Sequence, residues 1–362
     1  MTRGGEATRH LLWMTVGPTA CGSYRCYVPA LSAAATGRYK CRFVDVASSS
    51  PPTRGQRLAL RRFDIGILQR NLTPNGQAWR DACRDAGLPL VYDIDDDLFH
   101  VPSIHPYSDR FTSPAVQTQL RDFLTHAHHV IVSTPVLKQV VMASCGIPSE
   151  RVSVARNHLH PVVWPATVEA GGGHPRRADR IVVGWQGTPT HDHDFAAIVP
   201  ALRRLLAVHS NVDLHLFGDV PPSVREALPA DRVLGTPAVA FLDYPAALRR
   251  LRFDVGIAPL ARTAFNDAKS NVKWLEYSAC ETATVASGVE PYRTSIADGV
   301  TGLLADTEGE WYDALRILVS ESPVRNAMAR AAHRAAWTDW SATAQGATWV
   351  EILDTIAGRI AE

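Results

Sequence analysis

The densest cluster of chemically competent side chains is the run VYDIDDDLF at residues 91–99. It places four carboxylates, those of Asp93, Asp95, Asp96 and Asp97, within five positions at the end of an apolar, strand-like stretch. Alternation along a strand puts Asp93 and Asp95 on one face and Asp96 on the other. Such carboxylates can hold a divalent metal with a diphosphate, orient the hydroxyl or amine groups of a substrate, or cap a turn. The run by itself leaves these three possibilities open.

A second chemically suggestive segment is residues 259–287, where an apolar stretch is followed by a polar loop and a predicted helix at 271–280. The beginning of such a helix offers free backbone N–H groups and the positive end of its dipole, which suit a diphosphate. Lys269 adds a full positive charge there, and Glu276 follows about two turns on, where it can accept hydrogen bonds from two hydroxyl groups. A Ser-capped helix with a solvated Lys and Glu explains the same residues.

Two glycine-containing loops follow strand-like stretches. The first, GPTACGSYRCYVP at 17–29, contains Arg25, whose planar guanidinium matches a phosphate. The second, VGWQGTPTHDHDF at 183–195, offers backbone N–H groups near Gly187 and Thr188 that can cradle a phosphate. Its two histidines lack the spacing of a helical metal-binding pair, so we expect no metal there. A tight turn and a solvated loop are the alternatives at these two places.

Apolar strand-like runs alternate with amphipathic stretches along most of the chain, and helices are predicted at 24–36 and 194–208 among others. This alternation predicts two doubly wound α/β domains, each with a parallel sheet covered on both faces. Ligands of such sheets bind at the carboxyl ends of the strands, so we expect a cleft between the two domains. The predicted boundaries are a first domain at 1–162, a linker at 163–179, a second domain at 180–337 and a C-terminal helix at 338–362.

Composition excludes several function classes. The 362 residues carry a net charge of +1, so there is no basic excess for a nucleic-acid partner. The N-terminal residues lack the pattern of a secretory leader, and no apolar run is long enough to span a membrane, so we expect neither feature. The six cysteines are scattered without a C-x-x-C motif, which argues against zinc and disulfides. We therefore expect a cytoplasmic protein with free thiols.

Several of these segments together resemble the retaining GT-B glycosyltransferases of the group 1, or glycosyltransferase 4-like, superfamily. The run WLEYSACETATVAS at 274–287 resembles the donor-binding helix and strand of those enzymes. PYRTSIADGVTGLL at 291–304 is similar to the element that follows, although Tyr-Arg-Thr stands where the family usually has Glu. VIVSTPVLKQVV at 130–141 and VSVARNHLHP at 152–161 are similar to elements of the first domain and of the crossing between domains.

The resemblance implies that the second domain binds a nucleotide diphosphate sugar, with Glu276 on the ribose hydroxyls. It also implies that the C-terminal helix at 338–362 crosses back to pack on the first domain. The residues implied at the nucleotide and diphosphate, besides Glu276, are Ser270, Asn271, Gly187, Thr188 and Arg25. The first Glu of the family's E-x₇-E pair would fall at position 268, where this chain has Ala268. Asn266 and Asp267 are therefore the candidates for the donor sugar, with Lys269 beside them.

By the same resemblance, the strand that carries the aspartates ends beside the acceptor. Asp93 and Asp95, together with Lys269, are the implied catalytic residues. Ser23, Tyr24, Asp96 and His100 are the implied acceptor contacts. His105, in the loop after His100, is a further candidate for an acceptor-side base.

The expected activity is transfer of a sugar with retention from a UDP or GDP sugar, without a metal or another cofactor. In such a site the leaving diphosphate can accept the acceptor's proton, which fits a chain without an evident strong base. A small, soluble acceptor, such as a natural product, is favoured over a lipid, and a homodimer is compatible with the sequence. The alternatives are a nucleotide-sugar epimerase of the same fold and an inactive partner subunit, the latter because the first Glu is missing.

Overall fold

The computed structural model describes residues 8–47, 50–165 and 179–361. Within these residues the chain forms two parallel six-stranded sheets, in the orders β2-β1-β3-β4-β5-β6 and β12-β11-β10-β7-β8-β9. We call the parts built on them the first and the second domain. The strands are β1 (Arg9–Thr15), β2 (Tyr39–Asp45), β3 (Ile65–Gln69), β4 (Leu90–Ile94), β5 (His129–Val132), β6 (Val152–Val154), β7 (Ile181–Gly187), β8 (Val212–Gly218), β9 (Val233–Thr236), β10 (Val255–Ala258), β11 (Ala283–Ser287) and β12 (Leu303–Ala305).

Helices connect successive strands and cover both sheets. They are α1 (Ala20–Gly22), α2 (Val28–Ala35), α3 (Arg54–Ala59), α4 (Pro74–Asp85), α5 (Ser108–Thr112), α6 (Pro114–His126), α7 (Pro135–Cys145), α8 (Asp192–Ala196), α9 (Val199–Val208), α10 (Pro222–Ala227), α11 (Tyr244–Leu251), α12 (Ala264–Asp267), α13 (Val272–Ala279), α14 (Glu290–Arg293), α15 (Glu308–Ser320), α16 (Ser322–Asp339) and α17 (Gln345–Ala361). A π-helical turn, Ser23–Tyr27, joins α1 to α2.

Local sequence accounts for these elements. All five residues of β4, and all five of β11, are buried, as expected of central strands covered on both faces. Helix α7 begins where the Thr134 hydroxyl accepts a hydrogen bond from the Leu137 N–H, and it ends at Gly146, whose φ is +64°. Helix α15 begins with a capping box between Thr307 and Glu310.

The C-terminal helix α17 crosses back to the first domain, as predicted. Trp349 and Leu353 are fully buried against the first sheet, in one apolar cluster with Leu11 and Trp13. The ring centroids of Trp13 and Trp349 lie 6.1 Å apart. Because these are two large aromatic side chains without exposed surface, their contact fixes the last helix firmly on the first domain.

The structure differs from the sequence-based expectation at several boundaries. The helix predicted at 24–36 begins at Ala20, and the one predicted at 194–208 is divided into α8 and α9. Pro200 stands in the first turn of α9, and a proline there cannot continue a preceding helix because it lacks an N–H donor. Residues 166–178 of the predicted linker lie outside the described residues. No helix of the described chain has the length and apolar character to cross a membrane.

Candidate active site

A cavity of about 790 Å³ lies between the two domains, at the carboxyl ends of both sheets. In the second sheet the strand order reverses between β7 and β10, and Gly187 and Leu260, which close or follow these strands, line the cavity. In the first sheet the order reverses between β1 and β3, and the cavity is lined there by Pro18 and Arg70. Crevices at such switch points are the usual ligand sites of open parallel sheets.

Glu276, on α13, is the central carboxylate of the second-domain wall and is only 3% exposed. Its Oε1 accepts a hydrogen bond from the Tyr24 hydroxyl at 3.1 Å. Its Oε2 accepts from Gln186 Nε2 at 2.7 Å and from the Tyr244 hydroxyl at 2.8 Å. The Tyr24 hydroxyl in turn accepts from Trp164 Nε1 at 3.1 Å. The carboxylate therefore connects the two domains.

Burial raises the pKa of Glu276 to about 7, against the opposing effects of the Tyr244 hydrogen bond and the Lys273 charge. Burial also lowers the pKa of Lys273, to about 8, although the Glu276 carboxylate favours its charged form. Both groups therefore change charge close to neutral pH, which is typical of functional sites.

Lys269, Lys273 and Glu276 follow one another at spacings of four and three residues, which brings them to one side of α13 and of the loop before it. Lys273 Nζ donates to the Gln186 carbonyl at 2.8 Å and lies 5.5 Å from the centre of the Trp185 ring. Lys269 Nζ lies 4.5 Å from the centre of the Phe265 ring. Two cations and a carboxylate in line along a cavity wall suit the diphosphate and ribose of a nucleotide.

The ends of β7 and β8 approach each other closely beside this wall. Gly218 has a φ of +108°, and a Cβ placed on it would lie 2.2 Å from the Gly187 carbonyl oxygen. Glycine is therefore required at Gly218 by its backbone conformation and by the lack of space. Both glycines line the cavity together with Thr188, so the predicted Gly187–Thr188 segment is present at the site.

A charged cluster forms the opposite wall, at the ends of β3 and β4. Arg70 donates to Asp96, and its Nη1 lies 3.3 Å from Asp95 Oδ1. Lys269 Nζ, from the second domain, lies 3.7 Å from Asp96 Oδ1. Burial would raise the pKa of Asp96, but Lys269 and Arg70 outweigh it and lower the pKa to about 2. Asp95, Asp96 and Lys269, all predicted site residues, thus meet across the cleft.

The remaining aspartate of the run caps a turn. Asp97 is fully buried, and its Oδ1 accepts from the backbone N–H groups of Phe99 and His100 at 3.0 and 3.2 Å. Its Oδ2 lies 2.8 Å from His100 Nδ1, and the His100 side chain is 54% exposed. His100, predicted as an acceptor contact, does not line the cavity, whereas His105 does.

Arg25 and Asp93 require a correction, because they form a fully buried ion pair and neither residue lines the cavity. Arg25 Nη2 and Nε donate to the two Asp93 oxygens at 2.6 and 3.0 Å, and both side chains are 0% exposed. Arg25 Nη1 donates to the Ala155 carbonyl at 2.6 Å and to Asn157 Oδ1 at 3.0 Å. The guanidinium is therefore not available to a diphosphate, nor Asp93 to an acceptor, and we assign the pair a structural role. Arg25 lies in the π-helical turn Ser23–Tyr27, and its side chain is buried there.

Four other predicted residues lie outside the cavity. Asn266 Nδ2 donates to Asp194 and to the Ala261 carbonyl instead of facing a sugar. Asp267 accepts from the Glu290 N–H at 3.3 Å. Asn271, at the beginning of α13, and Ser23 are buried and absent from the cavity lining. Ser270 and Tyr24, by contrast, line the cavity as predicted site residues.

Sequence reasoning missed several cavity residues. Lys273 stands three residues before Glu276, a spacing that places both on one helical face, and this signal was available. Arg70 follows β3 directly and was recognisable as a cation at the carboxyl end of a strand. Gln186 and Tyr244 gave no such signal, because their role depends on the contact that each makes with Glu276. In the part of the chain that the structure describes, no group of three or more His, Cys, Asp or Glu is arranged to hold a metal.

Comparison with known proteins extends this picture. Residues 181–321 match the family model of the group 1 glycosyl transferases. A D-inositol 3-phosphate glycosyltransferase of Frankia alni is 34% identical over a segment that covers 32% of this chain and 34% of the relative, so the chain spans about a third of that protein.

Among solved structures, Anabaena HepE in complex with UDP-glucose superposes with a TM-score of 0.70 at 15% identity, covering 96% of this chain and 100% of that one. Sucrose-phosphate synthase of Thermosynechococcus elongatus superposes with a TM-score of 0.68 at 13% identity, covering 97% and 100%. At such identities the likeness shows the fold, which is the GT-B arrangement of two Rossmann-like domains.

Proposed function

We propose that this protein transfers a sugar from a nucleotide diphosphate sugar to a small acceptor. Its residues 181–321 match the family model of the group 1 glycosyl transferases. The observation that carries the proposal is the position of Glu276. Its carboxylate is 3% exposed, lines the cavity between two Rossmann-like domains, and stands in line with two lysines. A buried carboxylate that accepts hydrogen bonds suits the ribose hydroxyls, and two neighbouring cations suit the diphosphate of the same ligand.

In this proposal the nucleotide lies along the second-domain wall. Glu276 accepts hydrogen bonds from the ribose hydroxyls, while Lys273 and the N–H groups near Gly187 and Thr188 face the diphosphate. The nucleobase lies toward the aromatic side of the cavity, where the rings of Phe241 and Tyr244 are stacked with centroids 5.8 Å apart. HepE was solved with UDP-glucose, which makes UDP-glucose the first donor to test.

The proposed reaction proceeds with retention and without a metal. The two lysines would stabilise the negative charge that develops on the leaving diphosphate, a task that a metal performs in other enzymes. A diphosphate oxygen accepts the proton of the acceptor's nucleophile, so no separate base is needed. Asp95, on the first-domain wall, would orient the acceptor and stabilise positive charge at the anomeric carbon.

The acceptor would bind in the first-domain half of the cavity. The loop after β4 and the short helix α5 supply a mixed lining there, with Leu98, Val101, His105, Tyr107 and Arg110. Apolar and cationic groups in one wall suit a small, polar molecule with an apolar face, which supports a natural-product type of acceptor.

A thermal-shift screen of UDP, GDP, dTDP and ADP, each with and without EDTA, tests the donor site. A ligand that binds only the folded protein raises the Tm by mass action. We expect one diphosphate, first of all UDP, to raise the Tm equally with and without EDTA. A shift that requires Mn²⁺ would contradict the metal-free reaction, and no shift with any nucleotide would support an inactive partner subunit.

Turnover of UDP-glucose then tests the reaction. Release of UDP that depends on an added acceptor, together with a product of retained anomeric configuration, is the expected result. Release of UDP without an acceptor, with an epimerised free sugar as the second product, would instead identify an epimerase.

A further inference from the structure

His191 is a cavity-lining side chain for which the site described above gives no role. It ends a 3₁₀ turn, Pro189–His191, that follows β7. Its Nδ1 lies 2.9 Å from Asp194 Oδ2. The other oxygen of this carboxylate, Oδ1, accepts from the Ala261 N–H and from Asn266 Nδ2, both at 2.8 Å. The histidine is therefore held by a carboxylate that is itself fixed by two further donors.

This arrangement determines which ring nitrogen carries the proton. An ionised carboxylate has only acceptor sites, so Nδ1 must donate to Asp194, and Nε2 of the neutral ring keeps its lone pair. Burial raises the pKa of Asp194, but the His191 hydrogen bond and the Ala261 N–H outweigh it and lower the pKa, which keeps the group ionised. Burial and the charge of Lys273 lower the pKa of His191 to about 4, so the ring is neutral at neutral pH.

The ring is also held from the side. The centroids of His191 and Trp185 lie 6.5 Å apart in an edge-to-face arrangement, and Trp185 is fully buried. Among the described residues, Nε2 has no hydrogen-bond partner of its own. The structure thus presents a fixed, neutral hydrogen-bond acceptor at the cavity.

The neighbours of His191 indicate what reaches this acceptor. Lys269 and Lys273 both act on its pKa, so it lies close to the wall where the diphosphate and the sugar would follow the ribose. The lone pair of Nε2 repels phosphate oxygens, because these too are only hydrogen-bond acceptors. It can, however, accept a hydrogen bond from a sugar hydroxyl. Ala268, at the position of the missing Glu, is 0% exposed in the apolar core of the first domain, so that position offers the sugar no acceptor.

We propose that His191 is a specificity-determining residue whose Nε2 accepts a hydrogen bond from a hydroxyl of the donor sugar, with Asp194 and Asn266 as its positioning residues. The inference rests on the proposed function, since it assumes a nucleotide sugar in the cavity. It also gives Asn266, which the sequence suggested as a sugar contact, an indirect role through Asp194.

The test compares the Kd of UDP with the Kd of UDP-glucose by titration calorimetry. His191→Asn retains an amide donor for Asp194 but leaves nothing at the position of Nε2. We expect it to bind UDP within about twofold of wild type and UDP-glucose roughly 3- to 10-fold more weakly, the range for one neutral hydrogen bond. His191→Gln, which can place its carbonyl oxygen near that position, should recover part of the loss.

Asp194→Asn provides a second, independent variant. Its carbonyl oxygen would accept from Ala261 and Asn266, which leaves its NH₂ group facing Nδ1 and forces the proton onto Nε2. The sugar hydroxyl would then face the N–H of Nε2 instead of its lone pair. We therefore expect the same selective loss of affinity for UDP-glucose. His193→Asn is the matched control, because His193 is exposed, lies two residues away and does not line the cavity.

Three results would overturn the inference. An equal loss for UDP and UDP-glucose in His191→Asn would place His191 at the diphosphate. Unchanged affinity for both ligands would show that it contacts neither. If wild-type protein binds no UDP, the proposed function fails, and the inference fails with it. A variant that only loses stability would show a lower Tm but an unchanged ratio of the Kd values for UDP and UDP-glucose. This distinguishes a purely structural role of His191 from contact with the sugar.

Discussion

Replacing Glu276 by Gln tests the donor site most directly. A carboxylate has about four acceptor positions, and three are occupied by Tyr24, Gln186 and Tyr244. Only one position is free, so two ribose hydroxyls can both bind only if one of these three hydrogen-bond donors moves away. The bond from Tyr24 is the longest of the three, at 3.1 Å, and comes from the other domain, so we expect Tyr24 to give way.

The net gain on binding is then about one hydrogen bond to a charged group, which contributes roughly 1.5–3 kcal/mol. Glu276→Gln removes the charge, and its NH₂ group cannot accept. We therefore expect the Kd of UDP to rise about 10- to 150-fold. Calorimetric titration measures this on protein whose fold has been checked by circular dichroism. Glu281→Gln is the control, since Glu281 is exposed just beyond the end of the same helix.

The pH dependence supplies an independent readout. The ribose hydroxyls bind to the ionised form of Glu276, whose pKa is raised to about 7 in the free protein. The affinity for UDP should therefore increase as the pH rises through about 7, and the Gln variant should lack this increase. The assignment of Glu276 to the ribose is refuted if the variant binds UDP as tightly as wild type. It is also refuted if the variant still loses affinity for UDP as the pH falls below about 7.

Three further substitutions separate the roles of other residues. Lys273→Met should weaken UDP binding at least about tenfold. It should also abolish the loss of affinity that we expect of wild type above a pH of about 8, where Lys273 loses its proton; calorimetry across this range measures both. Arg25→Met should destabilise the fold by about 3–5 kcal/mol in a denaturant titration, because Asp93 is left buried and unpaired, while folded protein keeps its affinity for UDP. Asp95→Asn should lower kcat and spare the Kd of UDP; a parallel loss of both would mean that Asp95 only supports the structure.

Much of the fold could be predicted from local sequence. The apolar run of β11 and the capping residue of α7 specify their elements almost without tertiary context. The boundary between α8 and α9 was missed, although Pro200 marks it, because an apolar helical pattern continues across it. The crossing of α17 to the first domain was expected only by resemblance, since nothing local specifies which sheet its apolar face will cover.

The candidate site was predictable only in part. Glu276, Lys269, Asp95 and Asp96 face the cavity as expected. Arg25 was misassigned because a guanidinium that follows a glycine-rich turn suits a phosphate and a buried carboxylate equally well.

The sequence by itself determined the chemical inventory, namely a carboxylate on α13, lysines ahead of it and a run of aspartates after β4. It also determined the two parallel sheets, because alternating strand and helix patterns are local. Only the tertiary structure decided which of these groups meet. Tyr24 reaches Glu276 across 252 residues of chain, and Arg25 reaches Asp93 across 68. Such pairings depend on how the domains pack and on which side chains burial forces to find a partner, and no local pattern encodes either.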